Sequence, residues 1–189
     1  MKGSKIDSGG DSAKTGLRLR LAIAALLAVG LILWVALRDD DGSDSPSSSN
    51  GAEIVSVDEL REAAAEQATP IYWAGEQDEA ELELSRQEQG RTYVRYLTGD
   101  AEVDDPQPDF LTVGTYEDED AVAALLRLGN EPGGVLAKAP GGATVYFDRT
   151  QPRSVHLAFP GVDVQIEVYD PDFKRALQLV NSGQIVSAG

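Results

Sequence analysis

DVQIEVYDPDFKRALQLVNSG, residues 163–183, changes its hydrophobic period halfway along. Val164, Ile166 and Val168 alternate with Gln165 and Glu167, the pattern of a strand with one face inward and the other outward. After Tyr169 the apolar residues fall at Phe173, Ala176, Leu177 and Val180, spaced i, i+3, i+4, i+7, as on one side of a helix. Asp170 is placed to cap that helix, Pro171 suits its first position, and Gly183 lies just past its end. A one-sided helix needs an apolar sheet beneath it. The stretch therefore predicts an α+β fold in which an antiparallel β-sheet packs with about three helices.

The neighbouring sequence supplies the rest of that sheet. Residues 80–85 alternate strictly with Leu82 and Leu84 inward, and QEQG at 87–90 turns the chain toward a partner over 92–97. Further strands are expected at 110–115, 143–148, 154–159 and 163–169, the last two joined tightly by Pro160-Gly161. Ser56-Val57-Asp58-Glu59 is a capping box opening a helix to about Glu66, with Val57, Leu60 and Ala64 on one face. A second helix is expected from Asp118 to Leu128, with Val122, Leu125 and Leu126 aligned, acids in its first turn and Gly129 at its C′ position. The segment TVGTYEDEDAVAALLRLGN repeats the order strand, Tyr, acid, helix, Gly, so that Tyr116 matches Tyr169. Two further strands precede each, which admits a βββα internal duplication or convergent use of the same capping chemistry.

Upstream, RLRLAIAALLAVGLILWVALRDDD at 18–41 holds 17 uncharged residues from Leu21 to Leu37. As a helix these span roughly 26 Å, the short end of what crosses a bilayer. A secretory h-region is shorter and precedes a small-residue cleavage site, whereas this segment runs straight into Arg38 and three aspartates. An uncleaved transmembrane helix is expected. Residues 1–20 carry five basic and two acidic residues, and residues 39–189 ten basic and thirty acidic. The basic tail should stay cytoplasmic and the acidic part lie outside, with Trp34 at the outer headgroup level. The expected organisation is a cytoplasmic tail at 1–20, the membrane span at 21–37, an acidic, Ser-rich linker at 38–52 and an extracytoplasmic domain at 53–189. That linker reaches only about 20 Å, keeping the domain close to the membrane.

Charge and composition exclude several functions. The chain is −16 overall and the outer part −20, which repels nucleic acid and anionic lipid. With no cysteine there is no disulfide framework, thiolate metal site, Cys nucleophile or lipidated Cys. No phosphate-binding loop, nucleophile elbow, zinc-protease motif or EF-hand loop occurs. His156 is the only imidazole. Strand alternation sets it opposite Val155, Leu157 and Phe159, so an exposed or edge position is expected rather than a catalytic or metal-binding one.

Two stretches offer weak binding chemistry. TPIYWAG at 69–75 sets Tyr72 beside Trp73, so that in a strand one ring fills the core and the other faces out, toward a patch with Tyr93 or Tyr96. The loop TGDAEVDDPQPDF at 98–110 brings Asp100, Glu102, Asp104, Asp105 and Asp109, oxygen ligands of the kind calcium takes, in a spacing that matches no known loop. Nothing singles out a carboxylate pair for glycoside chemistry.

The pieces IYWAG, ELELSRQEQGRTYVRYL, FLTVGTY and DVQIEVYDPDFKRALQLVNSGQIV, across residues 57–186, resemble a group of uncharacterised membrane-anchored proteins typical of actinobacterial genomes. That resemblance implies a short basic tail, one span and an extracytoplasmic domain, and it brings no activity or functional residue. The order of sheet and helices is also loosely similar to the outer domains of membrane-bound anti-sigma factors, but twenty cytoplasmic residues leave no room for a sigma-binding domain. The expected function is a non-enzymatic, membrane-tethered domain that binds a protein or envelope component, without a cofactor. A small-ligand or cation sensor is the alternative, and an envelope hydrolase comes third.

Overall fold

Where polar and apolar residues alternate, the chain forms strands that share one large sheet. The computed structural model describes residues 51–87 and 90–189. The hydrophobic segment 21–37, the basic tail, most of the linker, and Glu88 and Gln89 of the expected turn lie outside the described residues. In chain order the elements are β1 (Glu53–Val55), α1 (Val57–Ala65), β2 (Tyr72–Trp73), β3 (Ala80–Gln87), β4 (Arg91–Thr98), β5 (Thr112–Glu117) and α2 (Ala121–Leu128). Then come β6 (Gly134–Lys138), a 3₁₀ turn (Pro140–Gly142), β7 (Thr144–Asp148), β8 (Ser154–Ala158), β9 (Val164–Tyr169), α3 (Phe173–Asn181) and β10 (Val186–Ser187). The expected α+β architecture, a large antiparallel sheet with three helices among the described residues, is found. None of these helices is long and apolar enough to cross a membrane.

The sheet has eight strands in the order β1-β3-β4-β5-β9-β8-β7-β6, every pair antiparallel. Its centre is the β5–β9 ladder, in which Val113 faces Val168 and Thr115 faces Ile166. One sheet face carries Leu84, Val94, Val113, Ile166, Val155 and Val145, all fully buried. Against it pack α1, α3 and a ribbon in which β2 pairs β10. A buried Val, Leu or Ile contributes about 1.5–3 kcal/mol, and a helix cap about 1. Packing on the sheet therefore decides where α3 lies, and its caps only trim the ends.

Those ends differ from the sequence expectation. Asp172, not Asp170, caps α3, accepting from the Lys174 amide at 3.0 Å. Asp170 is drawn back instead, because its Oδ1 accepts from the Asp172 amide and its Oδ2 meets Arg175. Pro171 accordingly precedes the helix. The second helix begins at Ala121, three residues later than expected, because the Asp118 carboxylate accepts from the Asp120 amide and holds the chain in a turn. Gly129 keeps helical angles rather than a left-handed C′ conformation. It is small because the Leu136 side chain occupies the place a Cβ would need. The capping box of α1 forms as expected: Ser56 Oγ accepts from the Glu59 amide, and Glu59 accepts in return from the Ser56 amide at 2.7 Å.

The second face of the sheet is covered, which overturns the outward placement of several residues. Helix α2 lies over β7–β9 with Ala121, Leu125 and Leu128 buried, and the 99–110 loop folds over β3 and β4. Glu167, Gln165 and His156 are consequently 6 %, 3 % and 8 % exposed. Alternation named the correct face for each and could not show that a helix from elsewhere would cover it.

Candidate functional site

Register gathers the polar residues of the second face into rows running across the strands. One row reads Ser85, Tyr93, Gly114, Glu167, His156 and Tyr146, each opposite the next on the adjoining strand. Gly114 leaves the gap through which Tyr116 lies across the row, since a Cβ there would stand 2.8 Å from its hydroxyl. Tyr116 donates to Glu167 at 2.7 Å, and its ring meets Tyr93 edge-on with centroids 5.8 Å apart. On the far side, Gln165 Nε2 and His156 Nδ1 are 3.4 Å apart. Burial, followed by the Glu167 carboxylate, raises Tyr116 well above the ordinary phenol range, so it stays a donor. Among the described residues, Ser85 Oγ and Gln165 Oε1 are buried there without a hydrogen-bond partner.

Burial also lowers the His156 pKa below its ordinary 6.5, against a smaller opposing pull from Glu167. The unfolded chain then takes up a proton at a pH where the folded one resists, so stability is full above about 6.5 and declines as pH falls toward the folded value. The slope contributed is at most about 1.4 kcal/mol per pH unit. Guanidinium unfolding from pH 7.5 to 5 is expected to show this decline in the native chain and a shallower one in His156→Gln. Equal slopes in the two would show that His156 protonates freely in the folded state. Burial raises the Asp170 carboxyl above its ordinary range, so its contribution to stability changes with pH in the opposite sense to that of His156.

The first face ends in a polar cleft of about 120 Å³ at one end of β3 and β4. Its walls are the 77–80 turn, Tyr96 and Thr98 of β4, Asp109 to Leu111 of the acidic loop, and Asp170, Pro171 and Arg175 of the β9–α3 connection. Asp170 is buried and fixes the Arg175 guanidinium through a 3.1 Å pair, while Gln77 Oε1 accepts from the same group at 3.0 Å. Tyr96 braces the cleft by accepting from the Ala74 amide at 2.7 Å and donating to the Gly75 carbonyl. Its phenol is raised mainly by burial. The acidic loop is tied in by Tyr169, whose hydroxyl donates to the Pro108 carbonyl at 2.7 Å.

Of the residues singled out in the sequence, the cleft brings together Tyr96 and Asp109. Tyr93 points to the other sheet face. Tyr72 and Trp73 are both buried, 7 % and 6 % exposed, so neither ring faces out as expected: β2 is held in a ribbon with β10 that packs into the core, and the Tyr72 ring stacks on Phe159. Asp100 is exposed at the loop tip. Asp104 is held by its backbone, with its amide donating to Glu83 at 2.6 Å, and the Asp105 carboxylate accepts from the Gln107 amide. Among the described residues no three His, Asp or Glu side chains converge as metal ligands. Arg175, Asp170 and Gln77 escaped sequence reading because they come from segments 98 residues apart. In the sequence Asp170 reads only as a helix cap. No family model, curated protein or solved structure matches the chain.

Proposed function

We propose that this chain is a non-catalytic binding domain, tethered to the cytoplasmic membrane by residues 21–37, with its N-terminus inside and the acidic domain outside. The cleft carries the binding half of this reading, because it sets a fixed guanidinium and open carboxylates around a volume sized for a small polar solute. That space is enough for several waters or one small solute. The uncharged segment, the basic flank before it and the acidic flank after it support the tether and its direction. The strand order reads alike outward from β5 and β9, but α2 and α3 lie on opposite faces, so the symmetry extends to the strands and not to the helices of a βββα duplication.

Because the chain has no cysteine, one introduced thiol reports on one place. In the full chain in nanodiscs, the dialysable fraction of an envelope extract is expected to slow maleimide labelling of Thr98→Cys and leave Ile54→Cys unaffected. Equal rates with and without the extract would overturn the binding role. Protease added to spheroplasts is expected to remove the domain, and its survival would overturn the placement. A second reading, an extended segment of a partner protein, is favoured by β6, which among the described residues pairs only β7, with Leu136 40 % exposed.

A further inference from the structure

Resting on the cleft reading above, we infer that the cleft's ligand is a small zwitterion of the free amino-acid type, its carboxylate on Arg175 and its ammonium on Asp109 and Asp78. Arg175 has five N–H donors, and the buried Asp170 carboxylate and Gln77 engage its two terminal nitrogens. That leaves donors for a ligand on a half-exposed group whose position is already fixed, which removes much of the ordering cost of binding. Asp78 and Asp109 also line the cleft, both exposed, and among the described residues no hydrogen bond or ion pair engages either carboxylate. Asp170 cancels the charge of Arg175, so a simple anion would meet two uncompensated carboxylates. A simple cation would leave the remaining guanidinium donors unused. A divalent metal wants six or more oxygens, which two carboxylates beside a guanidinium do not offer. Opposite charges on one small molecule satisfy both walls.

The floor agrees with a short side chain. Ala80, Phe110 and Leu111 contribute a small apolar surface, and the exposed Thr98 also lines the cleft. The buried Glu83–Arg95 pair and the Tyr169–Pro108 bond secure the loop that carries Asp109, so both charged walls stand on fixed supports.

Three probes on one three-carbon skeleton separate the charges in the full-length Thr98→Cys chain in nanodiscs: L-alanine, propionate and isopropylammonium. Alanine is expected to protect the thiol at a concentration roughly tenfold below either singly charged probe, the worth of one charge-assisted hydrogen bond. Adding Asp109→Asn, an exposed substitution, should erase that advantage while leaving any weak protection by propionate. Arg175→Lys, which keeps the charge on Asp170 and loses the planar fork, should erase it from the other side. Equal protection by alanine and one singly charged probe overturns the zwitterion and leaves the cleft reading standing. The same holds if envelope extract protects and alanine does not. Failure of extract and all three probes overturns both.

Discussion

Replacing Arg95 with alanine is expected to destabilise the folded domain by about 3–5 kcal/mol, the cost of leaving a buried carboxylate without its partner. Arg95 and Glu83 face each other across β3 and β4, 2.9 Å apart, with side chains 3 % and 0 % exposed. The guanidinium also donates to the Asp105 carbonyl at 2.7 Å and lies 5.0 Å from the centre of the Phe110 ring. Glu83 in turn accepts from the Asp104 amide. One ion pair thus pins the acidic loop by its backbone, which explains why those carboxylates are spread apart rather than gathered around a cation. The double substitution Glu83→Leu with Arg95→Met removes both charges and is expected to recover most of the lost stability, since apolar replacements of a buried pair are often neutral or better. It should nevertheless leave the 99–110 loop faster to cleave by protease, because the atoms that held its backbone are gone. Guanidinium unfolding followed by fluorescence measures the first effect and limited proteolysis the second. A loss below about 1 kcal/mol in Arg95→Ala would show that Glu83 is hydrated, as an exposed pair would be.

Glu83 also marks where sequence reading stops. In residues 80–85 the alternation of Leu82 and Leu84 with acids reads as a half-exposed strand, and the apolar half of that reading holds. The polar half fails at Glu83, Gln165, Glu167 and His156 for one reason: period two tells which face a residue takes, while coverage of that face depends on a helix and a loop distant in the chain. Element type was legible for the three helices and for β3, β4, β5, β7, β8 and β9, whereas β1 and β6, the latter reading GVLAK without alternation, were not expected. The two-residue strands β2 and β10 were not readable as a ribbon, because Val186 finds Trp73 only once α3 has returned the chain to the core. The cleft shows the same limit. Tyr96 and Asp109 were visible as chemistry, but Arg175 gains its place only from Asp170 and from Gln77, 98 residues away.

Trp73→Ala is expected to cost about 3–5 kcal/mol, the range for emptying a buried aromatic site. Trp73 is 6 % exposed in the ribbon that closes the first sheet face. The backbone around it is held at several points. The Tyr72 amide donates to Thr115 Oγ1 at 3.1 Å, the Ala74 amide to the Tyr96 hydroxyl, and the Ala188 amide to the Ile71 carbonyl at 2.8 Å. Such a frame cannot collapse far into the space an indole leaves, which places the cost toward the upper part of the range. Against a whole-domain stability of about 5–15 kcal/mol, the loss is large enough to lower Tm by roughly 10–20 °C. Circular dichroism of the full chain in micelles measures it, since the substitution removes the tryptophan a fluorescence assay would follow. Trp73→Phe, keeping a ring, should recover part of the loss. A Trp73→Ala melting point within a few degrees of the native chain would put the indole at the surface, returning Trp73 to the role of the outward ring of a binding patch.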